Sequence, residues 1–287
     1  MINFYKLIRF ITTVKKRGQV TVFIILGIFI LLSAISFFFL KDYIIAEQIK
    51  QDEADTLELT LNADKVKSSV EYCIEETAEK SIITLGYYGG KEDFVGPFFD
   101  EEVFDANYLY YMGKTQTSST DDMEVILGGM MDEHLPECFE KFEDLKKVNV
   151  NNEVINTELI AESFQLDKGK VNSSVVINDG AVNFNVNWPI KINFKDKVKE
   201  IEQFPNARLN IELEKMGLFL EEFMERMEMN PQFVDMFYLL EQNYSIHTSI
   251  FNNDTYVFLF EDENSIVDYK PLTFLFSVKV NSSEVLI

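Results

Sequence analysis

The longest apolar run of the chain covers residues 20–40 and contains no charged side chain. As a helix with a rise of ~1.5 Å per residue it would be about 31 Å long, enough to cross the hydrocarbon layer of a bilayer. A cleaved secretory signal is the alternative, but its apolar segment is usually ~7–15 residues long and is followed by small residues. This run instead ends in Phe37-Phe38-Phe39-Leu40. The pattern therefore predicts a transmembrane helix over residues 19–40.

After this run, residues 41–147 are predicted to be mainly helical. Apolar side chains recur at helical spacing between residues 66 and 85, and Gly86 is typical of the end of a helix. Two short helices are expected at residues 123–131 and 136–145. Pro136 would open the second, because proline is favoured in the first turn of a helix.

From residue 148 to residue 287 the pattern changes to that of strands. Asn178-Asp179-Gly180 is a strong signal for a hairpin turn between strands at 171–177 and 182–190. The second of these strands alternates apolar residues with asparagines, which predicts one buried face and one exposed amide face. Pro189 would limit pairing near its end, although the apolar alternation continues beyond it. Residues 196–229 are predicted to be mostly helical, and strands return at 256–260 and 272–280.

These patterns predict an α+β fold, with an N-terminal transmembrane helix followed by an extracytoplasmic domain of helices and antiparallel strands. The predicted regions are a basic cytoplasmic leader (1–18), the transmembrane helix (19–40), a mainly helical region (41–147) and an antiparallel sheet with packed helices (148–287).

The charge distribution gives the topology and excludes one class of partner. The chain has a formal net charge of −22, yet the first 40 residues contain no acidic side chain, and all their basic ones precede the apolar run: Lys6, Arg9, Lys15, Lys16 and Arg17. Basic residues on one flank of a membrane helix favour the cytoplasmic side, so the acidic bulk of the chain is expected outside the cell. Such an acidic domain repels phosphate backbones, and no nucleic-acid partner is expected.

Only two cysteines are present, Cys73 and Cys138. In an oxidising compartment an even pair favours a disulfide, which would contribute about 4 kcal/mol on the chain-entropy account. Two buried free thiols are the alternative. Two thiols cannot complete a tetrahedral metal site, and His134 is the one histidine at ligand spacing from either of them.

Four sequons for N-glycosylation follow the apolar run, and each falls at a predicted turn or strand edge where a glycan could be accommodated. Their acceptor residues are Asn172, Asn243, Asn253 and Asn281. All four are expected on the outer side of the membrane, which agrees with the predicted topology.

Catalytic and metal-binding motifs find little support. His134 and His247 are the only histidines, and neither lies in a nucleophile or zinc motif. Paired acidic residues are frequent, as expected of solvated faces in so acidic a chain, and no EF-hand spacing occurs. We therefore expect no catalytic residue, no metal, no cofactor and no enzymatic activity.

Residues 15–21 (KKRGQVT), followed by the apolar run, resemble the class III signal sequence of archaeal type IV pilin-like proteins. The resemblance implies that a prepilin-type peptidase cleaves between Gly18 and Gln19 at the cytoplasmic face. It also implies that the apolar helix first anchors the protein and later packs against other subunits in a filament. One departure concerns Phe23, a position at which many pilins carry a glutamate that sets the register of the filament.

A looser similarity extends further along the chain. Residues 70–90 with Cys73, together with Leu135-Pro136-Glu137-Cys138, look like uncharacterised surface proteins of small-genome archaea that share this signal.

The expected function is that of a membrane-anchored, pilin-like cell-surface protein with a structural or adhesive role. Its expected partners are the lipid bilayer, the prepilin-type peptidase and other pilin-like subunits. Two alternatives are a permanently anchored surface-binding protein and an anchored extracellular hydrolase with an acidic site.

Overall fold

The described residues form one long helix, three shorter helices and two sheets, with strands and helices alternating along the chain. The structure is a computed structural model that describes residues 19–100, 105–144 and 164–281. In chain order its elements are α1 (Gln19–Tyr87), β1 (Phe98–Asp100), β2 (Asp105–Tyr111), β3 (Lys114–Thr115), α2 (Thr120–Asp144), β4 (Phe164–Lys168), β5 (Asn172–Asn178), β6 (Ala181–Phe194), β7 (Lys197–Gln203), β8 (Ala207–Leu209), α3 (Leu213–Met229), α4 (Met236–Leu240), β9 (Ser245–Phe251), β10 (Thr255–Val267) and β11 (Lys270–Lys279).

Helix α1 is 69 residues long and carries two different patterns of exposure. The chain divides after Glu58 into two compact units, so residues 19–58 of the helix belong to the first unit and residues 59–87 to the second. In the first unit, every described large apolar side chain between residues 25 and 32 is more than half exposed. No helix within the described part of the chain is both long and apolar enough to cross a membrane. The predicted leader, residues 1–18, lies outside the described residues, as do the side chains of residues 20–24 and 34–40.

In the second unit, α1 buries one face in the main hydrophobic core. Apart from the adjacent pair Cys73 and Ile74, the buried residues are spaced three or four apart, which places them on a single stripe of the helix: Leu59, Ala63, Val66, Val70, Cys73, Ile74, Ala78, Ile82 and Leu85. The helical periodicity predicted for residues 66–85 is thus confirmed.

The first sheet combines strands that are distant in sequence. Its strand order is β1-β2-β11-β10-β9, and β3 pairs with β2. All neighbours are antiparallel except β2 and β11, which are parallel. Phenylalanines from β10 and β11 pack on one another and on Phe223 of α3. The ring centroids of Phe258 and Phe276 are 5.4 Å apart. The antiparallel strands expected from the sequence are therefore present, within an α+β fold.

The second sheet is built around the 14-residue strand β6. Strands β5 and β8 flank its first half, and β4 and β7 flank its second half. The predicted hairpin is confirmed between β5 and β6, with Gly180 at a φ of 76° that favours glycine. Strand β6 continues through Pro189, where the register with β7 shifts between Asn187 and Ile190.

Two helical predictions differ from the structure. The two short helices expected at 123–131 and 136–145 are one helix, α2, with Pro136 inside it. Proline removes one backbone hydrogen bond, but Met131, Leu135 and Phe139 continue a single buried stripe across it. Residues 197–209 form β7 and β8 instead of helix, because both pair with β6 and gain their backbone hydrogen bonds from that strand.

The disulfide predicted between Cys73 and Cys138 is confirmed. It joins α1 to α2 across a Cα–Cα distance of 5.7 Å and a sequence separation of 65 residues. The Cys73 side chain is fully buried. The crosslink therefore fixes α2 to the buried stripe of α1.

Reduction of this disulfide is expected to lower the free energy of unfolding by about 4 kcal/mol, because the unfolded chain regains the freedom of a long loop. The measurement is chemical unfolding of the full chain in detergent, with and without reductant. The double variant Cys73→Ala, Cys138→Ala serves as the control and should not respond to reductant. Equal midpoints for the oxidised and reduced wild-type protein would contradict the expectation.

Gly86 is required where the end of α1 meets β11. A Cβ at this position would overlap the carbonyl oxygen of Thr273 and contact the ring of Phe274. We expect Gly86→Ala to destabilise the protein by about 1–3 kcal/mol, as overpacking typically does.

Gly129 provides the matched control, since it lies exposed inside α2 and a Cβ there meets nothing within 4 Å. Gly129→Ala should stabilise the helix by up to about 1 kcal/mol. Thermal unfolding of both variants distinguishes them, and a Gly86→Ala protein as stable as wild type would refute the close approach.

Candidate functional site

The outer face of the second sheet carries a cluster of amide side chains. On β6, Asn185 and Asn187 point away from the buried residues that alternate with them. Across the hairpin Asn187 pairs with Asn172, and Asn185 pairs with Ser174. Directly opposed residues of an antiparallel pair lie side by side on one face, so these four polar side chains form a contiguous patch.

A break in the neighbouring ladder turns this patch into a hollow. Strand β7 ends its pairing with β6 at Asn187, and β8 resumes it only at Phe184. Opposite Asn185 and Val186 the chain passes instead through the loop 204–206. The resulting hollow, called here the amide hollow, has a volume of about 320 Å³ and is lined by Asn172, Ser173, Ser174, Asn185, Val186, Asn187, Gln203, Phe204 and Asn206.

The lining of the amide hollow contains no ionisable side chain. It has five carboxamides and two serines, of which Ser174 alone has an accessible hydroxyl because that of Ser173 is buried, in a chain whose formal net charge is −22. None of the five amides has a side-chain hydrogen bond to any other residue that the structure describes. Each carboxamide offers two donors and an acceptor, so the hollow presents both kinds of group to a ligand. Such a surface is suited to an uncharged polar ligand.

Two apolar residues complete the lining. Val186 and Phe204 are 6% and 7% exposed, respectively, and both belong to the main hydrophobic core. Binding sites for small molecules commonly combine apolar surface with a few polar groups, in volumes of ~300–1,000 Å³. The amide hollow lies at the small end of that range.

Helix α2 holds the strand that forms one wall of the hollow. The backbone N–H of Ser173 donates to Asp132 Oδ1 and that of Ile177 donates to Glu124 Oε1, each at 2.7 Å. Eight residues of helix span about 12 Å and four residues of strand span about 13 Å. The spacing of the two carboxylates along α2 therefore matches the spacing of the two N–H groups along β5. Gly128 lies between them, where a Cβ would be 3.5 Å from the Ser173 carbonyl oxygen. The helix thereby covers the outer edge of β5.

The predicted processing site is only partly described. Gly18 lies outside the described residues, and Gln19 is the first residue of α1. Cleavage between them stays a prediction.

The four sequons lie in different settings. Asn172 opens β5 at the rim of the amide hollow, and Asn281 lies two residues after the end of β11. Asn243 and Asn253 are exposed and lie on either side of β9, the last strand of the first sheet. Their modification stays a prediction.

The sequon of Asn253 differs from the others in its hydroxyl residue. Thr255 is 3% exposed, and its hydroxyl donates to Asp254 Oδ1 at 2.8 Å. In the folded protein this hydroxyl is therefore withdrawn from any modifying enzyme.

The two histidines are exposed and face single carboxylates. His134 Nδ1 is 3.6 Å from Glu137, and His247 Nε2 is 3.7 Å from Glu261. Within the described ranges, no group of three or more potential ligands is arranged to hold a metal ion.

A buried carboxylate is found at a bulge in β10. Asp262 is 1% exposed and accepts hydrogen bonds from the backbone N–H of Asn264 and the hydroxyl of Ser265. Burial, followed by the charge of Asp262, raises the pKa of Tyr244 to about 12. The bonds of Asp262 stay within its own bulge, so its role is to shape the strand.

A second hollow has several acidic residues in its lining, as the hydrolase alternative would require. Asp64, Glu200 and Glu202 line a space of about 330 Å³ together with two lysines. One of these, Lys199, lies 3.9 Å from Asp64. A lining that mixes acidic and basic side chains in this way is typical of exposed ion pairs on a protein surface.

Strand periodicity predicted the asparagine face of β6 but not the amide hollow. Alternating asparagines were interpreted as a solvated face, and Gln203 and Asn206 lie in a stretch predicted to be helical. The available signal was Pro205, which interrupts any helix over that stretch.

Comparison with known proteins identifies no relative. No protein family model matches the chain, and neither the curated proteins nor the solved structures contain a significant match.

The two carboxylates that cap β5 should be important for stability. Asp132→Ala or Glu124→Ala leaves one partly buried backbone N–H of β5 without its acceptor, and each is expected to cost about 1 kcal/mol. Glu133→Ala is the control, because Glu133 is exposed on the same helix and should be close to neutral. Urea unfolding of the three variants measures the difference, and three equal midpoints would contradict the capping role.

Proposed function

We propose that the protein is a membrane-anchored, pilin-like surface protein with a structural or adhesive role, processed between Gly18 and Gln19. The observation that carries the proposal is the exposure of α1 in its first unit. Seven large apolar side chains there are 53–69% exposed: Ile25, Leu26, Ile28, Phe29, Ile30, Leu31 and Leu32. Because these positions are nearly consecutive, they cover all sides of the helix.

Exposure of this kind is unfavourable in water, where each Å² of apolar surface costs about 25 cal/mol. A helix that is apolar on every side is stable when lipid or other helices surround it. The sequence extends the same character over residues 20–40. A bilayer is therefore the partner that best accounts for this part of α1, and the packing of several such helices would be the filament form.

Two features support an outer location for the second unit. Lys15, Lys16 and Arg17 precede the apolar run, which favours a cytoplasmic N-terminus. The disulfide between Cys73 and Cys138 suits an oxidising compartment. An exported, crosslinked domain with an acidic surface is well suited to display at a cell surface.

The adhesive role is favoured over a purely structural one by the amide hollow. It presents five amides without side-chain partners among the described residues, on a sheet face away from the core. Filament assembly has weaker support, because Phe23 replaces the glutamate that sets the register in many pilins.

The processing claim is tested by the mass of the mature N-terminus in native membranes. We expect a chain that begins at Gln19, and a chain with an intact Met1 would contradict peptidase processing. The matched variant is Gly18→Leu, whose bulky side chain should hinder the extended backbone from entering a protease cleft and should leave the leader attached.

Membrane attachment is tested on the same material by an alkaline carbonate wash. An integral anchor stays in the pellet whether or not the leader is removed. Release of the protein into the supernatant would contradict the anchor, independently of the N-terminal mass.

A further inference from the structure

We propose that the amide hollow is a binding site for a neutral carbohydrate. This inference rests on the proposed surface function, since it names the class of ligand that an adhesive domain would recognise. It is carried by three observations on the hollow: its amide side chains, its apolar residues and the absence of charged residues from its lining.

The first observation is the match between carboxamides and hydroxyl groups. A sugar hydroxyl both donates and accepts a hydrogen bond, and neighbouring hydroxyls alternate these roles at short spacing. A carboxamide also does both through one planar group. Asn187 lies between Asn172 and Gln203 as the Cα partner of each on either side. A row of three amides across three strands can therefore engage several hydroxyls of one ring.

The second observation is the apolar lining. Val186 and Phe204 are the apolar residues of the lining, and both are largely buried, at 6% and 7% exposed. The side chain of Val186 belongs to the core face of β6, so the apolar surface open to the hollow is small and suits the C–H groups of a single sugar ring, whose hydroxyls meet the amides. A hollow of about 320 Å³ has room for a small ligand or the end of a longer one.

The third observation is what the hollow lacks among its lining residues. There is no lysine or arginine to hold a phosphate, sulfate or carboxylate, and the negative chain repels these groups. Carboxylates, which provide most of the charge in protein calcium sites, are also missing from the lining. A neutral ligand is the remaining class with strong polar contacts.

An extended peptide is less suited to this position. Peptides that add to a sheet pair with the free edge of a strand. Strand β6 pairs with β5 on one side, and on the other side, between β7 and β8, it lacks a strand partner only at Asn185 and Val186, which is too short a stretch for an added strand. The ligand must therefore be read mainly by side chains, as a carbohydrate would be.

N-glycosylation of Asn172 would affect the amide hollow. It lies at the rim and is also the acceptor of a sequon, so a glycan attached there would occupy the hollow or block it. The binding test therefore uses protein from a host without N-glycosylation.

The experiment presents the full chain, in a detergent without a sugar headgroup, to three sets of immobilised probes. These are neutral oligosaccharides of glucose, galactose, mannose and N-acetylglucosamine, sialylated and sulfated oligosaccharides, and extended heptapeptides. We expect binding to at least one neutral oligosaccharide and weak or no binding to the anionic ones. Saturation-transfer NMR with the best probe then gives its dissociation constant.

The variants Asn187→Ala and Asn206→Ala should each weaken that binding several-fold, and the double variant by at least 10-fold, because each removes polar contacts to the ligand. Asn183→Ala is the matched control. Asn183 is an outward amide of the same strand but does not line the hollow, so binding should be unchanged. Thermal unfolding of each variant verifies that it is folded.

Three results would overturn the proposal: no neutral oligosaccharide binds, binding persists in the folded double variant, or only heptapeptides or anionic probes bind. None of these results bears on the membrane anchor, which the N-terminal mass and the carbonate wash test separately. Equally, a soluble or unprocessed chain that binds through Asn187 would retain the carbohydrate site and lose only the proposed anchoring.

Discussion

The second unit depends on one buried stripe of α1 and on the elements that this stripe fixes in turn. Cys73 lies in the stripe and is covalently joined to Cys138 of α2. Helix α2 then uses two carboxylates to cap the outer N–H groups of β5. Strand β5 carries Asn172 and Ser174 into the amide hollow. A crosslink at the edge of the core is thus connected through α2 and β5 to the candidate site.

The two parts of α1 differ in how their apolar side chains are distributed and buried. From residue 59 onwards its apolar side chains form a stripe that the folded chain buries, as in any amphipathic helix. Between residues 25 and 32 they cover the whole circumference and remain exposed. The first pattern belongs to a helix packed on a domain, and the second suits lipid or a bundle of like helices. Under the proposed function, α1 would combine membrane anchorage with the folding of the second unit.

Local signals in the sequence predicted a substantial part of this architecture. The Asn178-Asp179-Gly180 turn and the strict alternation in β6 are short-range features, and both are present in the structure. The helical stripe and its end near Gly86 follow from spacing alone. The parallel pairing of β2 with β11 joins residues about as far apart as Tyr108 and Ser277, and no local pattern encodes such a contact. The prediction that a new helix begins at Pro136 was wrong, because burial of the apolar stripe around this proline outweighs one lost backbone hydrogen bond.

The candidate site was predictable only in part for a related reason. The asparagines of β6 were visible as a polar face, but the hollow exists because β7 and β8 leave a gap opposite Asn185. That gap depends on how the loop around Pro205 returns to the sheet, which is a tertiary property. Without Gln203 and Asn206, the asparagines of β6 would be an ordinary exposed strand face. These two residues complete the lining of the amide hollow.

Surface labelling of intact cells tests whether α1 anchors a domain that is displayed outside the cell. A membrane-impermeant, amine-reactive reagent should modify exposed lysines of the second unit, such as Lys80 and Lys191, whose side chains are 64% and 49% exposed. A cytoplasmic protein in the same cells should remain unlabelled. Labelling of these lysines before lysis is the result we predict, and labelling that occurs only after lysis would contradict the account.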